Sequence, residues 1–349
     1  MVRAKVFSIV LDDYGDYLGM TKGCFHVKRR NGKTEKYPLI ENDIGEVILK
    51  SGSLVSVGAL ASLGFFEVDV LVMTRNNKPI AVLKPLNYDS HVKTRIMQYE
   101  AYRDVERRVK IAKTIIKAKF EGQNQVLEKL NLKPHDDLDK IEGLDSLTNV
   151  MHFEAMHSKA YFQRLFSLLP KKIKPKSRQT YNAYDGVNNL FNLAYEVLSW
   201  KVYQAVIKAK LEPYLGFMHS VQPQKPSFVC DFMEIYRYLI DYFVIEYCIK
   251  NKDLMFTLNY QNKGSRLFLG KAETKKFVKA LHEFLHQHVR IERFRHGLRQ
   301  QIETLISEEA FLFAQYIRNE KSAWQPRIVN LNTFTINPFL LKPLTTQQP

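Results

Sequence analysis

Glu154 is the residue whose surroundings most call for chemistry. At 100° per residue it falls within the apolar stripe of Leu147, Val150, Met151, Tyr161 and Leu165, on a segment with helical period. A lone carboxylate on a buried face is very costly, so it must be neutralised, paired or bound to a cation. A buried pair with a nearby Lys or Arg is the plain alternative, and the residue alone leaves both open. Three further acids, Asp231, Glu234 and Asp241, lie on a segment that opens at Ser227. On one continuous helix they span roughly 80° of arc, with Phe228, Ile235, Leu239 and Phe243 on the buried side. Two such carboxylates about 5 Å apart repel by about 3 kcal/mol at an effective dielectric of 20, unless a cation sits between them. A solvated acidic face answered by Arg237 is the alternative here. His219 stands just ahead of this segment, in a loop stiffened by Pro213, Pro223 and Pro226. Carboxylates joined by one imidazole form a hard, mixed donor set that suits Mg²⁺ or Mn²⁺ better than zinc.

These residues need elements to position them. The first 90 residues read as short strands rich in β-branched and aromatic residues: 5–11, 17–21, 24–28, 34–39, 47–49, 68–74 and 80–83. Turns at Gly15, Gly23 and Asn31-Gly32 punctuate them, and one or two helical turns fit at 57–63. After Lys84-Pro85 the period becomes helical, predicting helices near 93–120, 122–131, 144–169, 185–210, 227–250, 272–289 and 295–319. The fold class expected is therefore α+β: a β-rich domain over 1–86, an all-α helical domain over 87–322 and a proline-containing tail over 323–349. The tail carries an apolar patch at Phe339–Leu341 and is expected to be disordered or to dock on a neighbour.

Composition narrows the class. The chain has 349 residues, 15 Gly and 13 Pro, ordinary values that exclude a collagen-like or wholly disordered protein. Its three cysteines, Cys24, Cys230 and Cys248, make no disulfide framework and no CxxC zinc pair, which suits a reducing compartment. Asp12 and Asp13 cut off the short apolar run Val6–Leu11, so no signal peptide is expected, and the uncharged stretch Ser51–Phe66, 16 residues with three glycines, is short of a membrane span; the location expected is cytoplasmic. The net charge is +16, and nearly all of it falls after residue 90. A field of that sign favours nucleic acid as partner. Three basic clusters offer phosphate contacts: Arg103, Arg107, Lys110 and Lys117; Lys171, Lys172, Lys174, Lys176 and Arg178; and Arg290, Arg293, Arg295 and Arg299. Solvated faces are the alternative for each. The 171–178 loop is favoured because it contains no acid and lies between the segments of Glu154 and His219.

The order of these signals resembles one family, the CRISPR-associated integrases, over about residues 5 to 320. The resemblance begins with Tyr14-Gly15-x-Tyr17-Leu18 and Lys22-Gly23, continues through Arg95-x-x-Gln98-Tyr99 and Asn124-Gln125, and reaches Glu154 ahead of Ala160-Tyr161-Phe162. Asp185-x-Val187-Asn188 follows, running to Tyr195. Two specific strings come next: Leu211-x-Pro213-x-Leu215-Gly216-Phe217-x-His219, then Pro226-Ser227-Phe228-Val229-Cys230-Asp231-Phe232-Met233-Glu234-x-x-Arg237. Before the first of these strings the family often has glycine, where this chain has Lys210.

The resemblance implies a β-domain that forms a homodimer and a helical domain with one divalent metal per active site. Glu154, His219 and Asp231 match the family's ligands, and Glu234 matches an auxiliary acid. Asn188, Tyr195 and Arg237 match positions that line the site toward DNA, with core packing the alternative for Tyr195. The implied activity is a metal-dependent DNA endonuclease/integrase that uses Mg²⁺ or Mn²⁺. It attacks a repeat phosphodiester with a spacer 3′-hydroxyl, on double-stranded DNA (prespacer and CRISPR repeat), beside a small ferredoxin-like partner protein. A catalytically inactive assembly subunit and an integrase of a mobile element are the competing readings.

Overall fold

The computed structural model describes residues 7–38, 44–66, 68–74, 79–83, 92–180, 183–251, 254, 256–261, 264–290 and 299–331. The chain forms two compact units, Met1–His91 and Val92–Pro349.

The first unit contains two four-stranded sheets. In one, β1 (Phe7–Leu11), β5 (Ile44–Lys50) and β7 (Asp69–Met73) run parallel, and β8 (Pro79–Leu83) closes the edge antiparallel to β7. In the other, β2 (Tyr17–Thr21), β3 (Cys24–Lys28) and β4 (Thr34–Pro38) form an antiparallel meander, and β6 (Leu54–Val55) lies parallel to β2. Gly32, at φ +85°, makes the turn between β3 and β4 that Asn31-Gly32 predicts. Helix α1 (Val57–Phe65) is capped by the Ser56 hydroxyl, and its Ala59 and Leu63 join Leu11, Leu18, Phe25, Val27, Val47 and Val70 in the core.

The second unit is mostly helical. Its first helical stretch breaks at Asp104, not near residue 121: α2 is Val92–Arg103 and α3 is Val105–Lys129. Asp104 caps α3 by accepting from the Arg107 amide at 3.0 Å, whereas Gly122 stays inside the helix because the Tyr238 ring packs where its side chain would be. Helices α4 (Leu147–Ser167) and α5 (Gly186–Lys208) follow, N-capped by Ser146 and Asp185. Lys210, where the resembling family often has glycine, sits in the left-handed region at φ +63°.

The helix expected over 227–250 is two helices, α6 (Ser227–Met233) and α7 (Arg237–Lys250), with turns between them. That break redirects the three acids expected on one face. The all-α expectation is corrected in one respect: two antiparallel hairpins interrupt the helices. The first is β9 (Phe256–Gln261) with β10 (Gly264–Leu269), and the second is β11 (His288–Arg290) with β12 (Arg299–Gln301). Helix α8 (Lys271–Leu285) lies between the hairpins, and α9 (Ile302–Ile317) ends the helical series.

The described part of the tail docks on its own unit. Trp324 Nε1 and Arg327 Nε each donate to buried Glu309 at 2.7 Å, the Val329 amide donates to the Tyr238 hydroxyl at 2.8 Å, and the Leu331 amide donates to Gln125 at 2.8 Å. The Phe339–Leu341 patch lies outside the described residues, as do Arg293, Arg295 and the side chains of Arg290 and Arg299. No helix among the described residues is long and apolar enough to cross a membrane.

Candidate functional site

Four elements of the second unit build the site: α3, α4, α6 with its approach loop, and the loop leading into α5. The approach loop is held from several sides. Gln98 grips the backbone of Glu212, accepting from its N–H at 2.7 Å and donating to its carbonyl at 3.1 Å. Arg108 donates to the Phe217 carbonyl at 2.8 Å and stacks over Tyr102. Gly216 lies so close to α6 that an added Cβ would stand 2.8 Å from Ser227 Cβ and 2.9 Å from Asp231 Oδ2. The consequence is a fixed approach of His219 to Asp231.

Asp231 is wholly buried and accepts three hydrogen bonds from that loop. The Met218 amide donates at 2.8 Å and the His219 amide at 3.1 Å, and the His219 imidazole Nδ1 lies 2.5 Å from Oδ1. Two backbone amides and the imidazole thus satisfy the acceptor oxygens of this buried carboxylate. His219 retains partial exposure, with its side chain 26% accessible.

Glu154, on α4, and Glu234, at the C-cap of α6, meet at a residue the sequence reading did not single out. The ammonium of Lys119, from α3, contacts Glu154 Oε1 and lies 2.8 Å from Glu234 Oε2. The Ser158 hydroxyl donates to the same Glu154 oxygen at 2.7 Å, and Arg237 holds Glu234 Oε1 at 2.8 Å. Burial works against the charge of Glu234, but Arg237 and Lys119 outweigh it and hold its carboxyl below the usual range. Burial likewise opposes the Lys119 charge, and the attraction of Glu234 and Glu154 outweighs it. Lys119 was legible in one respect: it is three and four residues from Ile116 and Ile115, on the buried face of α3.

Asp241 separates from the other two acids entirely. It is buried on α7, where it accepts from the Tyr195 hydroxyl and, at 3.1 Å, from the Tyr161 hydroxyl. The acidic face expected on one helix is thus three buried carboxylates, each with its own partners.

Beside Glu154 and Lys119 lies a cavity of about 360 Å³, lined also by Lys159, Phe162, Arg178, Tyr195 and Arg237. The guanidiniums of Arg178 and Arg237 stack over the Tyr195 ring, at 5.3 and 4.7 Å from its centroid. Asn188 is fully buried rather than facing the cavity. It accepts from Arg178 at 3.0 Å and donates to the Ser177 carbonyl at 2.9 Å, so it positions that loop. The loop itself alternates: Ile173 and Pro175 are buried, while Lys171, Lys172, Lys174 and Lys176 are exposed. The α3 basic cluster is partly committed elsewhere, since Arg107 binds the carbonyls ending α9 and Lys117 pairs with Glu142.

The structure thus joins His219 to Asp231 and ties Glu154 to Glu234 through Lys119. Among the described residues, no three His, Cys, Asp or Glu side chains form a metal-holding group. Carboxylates with one imidazole are a donor set that would suit a hard divalent ion, and the buried ammonium between Glu154 and Glu234 is a cation already paired with two of the acids.

The family model for CRISPR associated protein Cas1 matches residues 9–283. A CRISPR-associated endonuclease of Saccharolobus solfataricus is 27% identical over 241 residues, covering 69% of this chain and 75% of that protein. A casposase bound to integration product has the same fold, with a TM-score of 0.75 at 21% identity over 94% of each chain. So does a chain of a Cas6-RT-Cas1–Cas2 complex, with a TM-score of 0.70 at 16% identity, over 93% of this chain and 36% of that one. The chain belongs to the CRISPR-associated protein Cas1 family.

Proposed function

We propose that this chain joins DNA to DNA in CRISPR adaptation. The 3′-hydroxyl of an incoming spacer duplex attacks a phosphodiester of the repeat, a new phosphodiester forms, and the 3′-oxygen of the cut strand leaves. The nucleophile is supplied by the DNA, so the protein's task is to position and to stabilise charge. A bound Mg²⁺ or Mn²⁺ supplies polarisation of the phosphoryl oxygen and of the attacking hydroxyl. Glu154, His219 and Asp231 would hold it, with Glu234 as the auxiliary acid. Arg178 and Arg237, stacked on Tyr195, present cations to the phosphate backbone inside the cavity. The exposed lysines 171, 172, 174 and 176 bind duplex phosphates outside it.

The observation that carries this reading is the buried acid patch next to a basic, aromatic-lined cavity, within a chain of this family. Two features bear on partners. Val57, Phe65 and Phe66 in the first unit are exposed, which supports an apolar homodimer contact there. The likeness to a chain found with Cas2 supports a small partner protein, of ferredoxin-like fold in this reading. The test is Glu154→Ala, assayed by integration of a labelled 3′-hydroxyl duplex into supercoiled plasmid with Mn²⁺, Mg²⁺ or EDTA. Retained DNA binding with integration lost by at least a hundredfold supports the assignment. Integration at the wild-type rate in the variant, or in EDTA, refutes it.

A further inference from the structure

Lys119 is a buried charge beside the acid patch that the proposed chemistry leaves unused. It is 4% exposed, on the face of α3 that packs against α4 and α7. Among the described residues, its ammonium is the group that touches the carboxylates of both Glu154 and Glu234. A lysine is not buried without counter-charges, and two acids are not buried side by side without a cation. Arg237 answers only the other oxygen of Glu234, and Ser158 offers Glu154 a hydroxyl but no charge. Without Lys119, then, the Glu154 carboxylate would have no cation among the contacts described.

We propose that Lys119 is a tethered counter-cation that holds Glu154 and Glu234 in the metal-free protein and competes with a divalent ion for them. The inference rests on the metal-dependent reading above and deepens it. An ammonium a few ångströms from a doubly charged ion repels it, and a carboxylate oxygen paired to the ammonium is lost as a ligand. Ion binding therefore requires the Lys119 side chain to withdraw from Glu154. The residue keeps two acids from repelling each other until the ion arrives, and its cost is a weaker site for that ion. Lys119 touches no reacting atom, and so it is a positioning residue.

The full-length chain tests this with Mn²⁺ as the probe. Lys119→Met and Lys119→Gln are each titrated calorimetrically with Mn²⁺ and melted in EDTA, beside wild type and His219→Ala. Both Lys119 variants are expected to melt below wild type in EDTA yet bind Mn²⁺ at least tenfold more tightly. In wild type, acetylation of Lys119, read by peptide mass spectrometry, is expected to rise severalfold on saturation with Mn²⁺. Folded Lys119 variants that bind Mn²⁺ no more tightly than wild type overturn the proposal, because the lysine is then a scaffold for the ligands. So does acetylation unchanged by Mn²⁺, a readout that stands even where a variant fails to fold. Wild-type binding lost in His219→Ala but unchanged in Lys119→Met refutes this inference alone. Wild type that takes up no Mn²⁺ refutes the metal-dependent reading and the inference with it.

Discussion

Asp241→Asn should stabilise the protein at neutral and alkaline pH and do little in acid. Asp241 faces Tyr161 from α4, Tyr195 from α5, Arg237 on its own helix and Arg178 from the loop before α5. Burial raises its pKa from 3.8 to about 6, against the opposing pull of the Tyr195 hydroxyl and Arg237. Between those two values the folded state binds more protons than the unfolded state, so stability falls as pH rises through that window. Above it the charged carboxylate costs about 3 kcal/mol relative to its neutral form. Asparagine has the same shape, accepts from Tyr195 through Oδ1, donates to the Tyr161 oxygen through Nδ2, and carries no charge. For a unit of this size each kcal/mol moves the melting temperature by about 2–4 °C, so the variant should gain roughly 6–12 °C at pH 8. The gain should shrink toward zero at pH 4. Scanning calorimetry of wild type and variant at the two pH values measures it. A loss of stability at pH 8, or the same gain at both pH values, refutes the reasoning, because Asp241 would then be held ionised by Arg237 and Arg178.

Two more outcomes follow from the site's geometry. Replacing Lys171, Lys172, Lys174 and Lys176 together by alanine should reduce the slope of log affinity against log salt for duplex DNA by as much as about 3–4, with melting unchanged; an unaltered slope assigns those lysines to solvent. Gly216→Ala should cost about 1–3 kcal/mol, since its Cβ would press on Ser227 and Asp231. It should also reduce integration more than DNA binding, and integration at the wild-type rate would show that the His219 loop tolerates displacement.

What was legible in the chain, and what was not, follows from how local each signal is. Strands such as Tyr17–Thr21 and Cys24–Lys28 announce themselves by β-branched residues between glycine turns, a purely local pattern. Helix ends needed caps: Asp104 breaks α2 from α3 through one side-chain hydrogen bond, while Gly122, the residue that looks like a breaker, is required for packing against Tyr238. The β9–β10 hairpin carries a local signal of its own, since Phe256, Leu258 and Tyr260 alternate with polar residues ahead of Asn262-Lys263-Gly264, but the long helical periods on either side mask it. Among the site residues, Glu154 was legible as an acid on an apolar stripe, and His219 and Asp231 as neighbours across a proline-stiffened loop. Asp231, Glu234 and Asp241 were misread as one solvated or shared face, because the turn at Glu234–Tyr236 removes the regular period on which that reading depended.

The partner of Glu154 shows the deeper reason. A periodicity argument identifies a carboxylate that needs a cation, but not which cation answers it, since the answer comes from a helix some 35 residues away in sequence. Had Lys119 been read against its own helix, its place beside Ile115 and Ile116 would have marked it as buried, and a buried lysine must find acids. Two residues of opposite charge, each out of place on an apolar stripe of adjacent helices, constrain one another more strongly than either constrains a metal. The acid patch is therefore a site with its own internal cation, and any ion that enters it must do so in competition with Lys119.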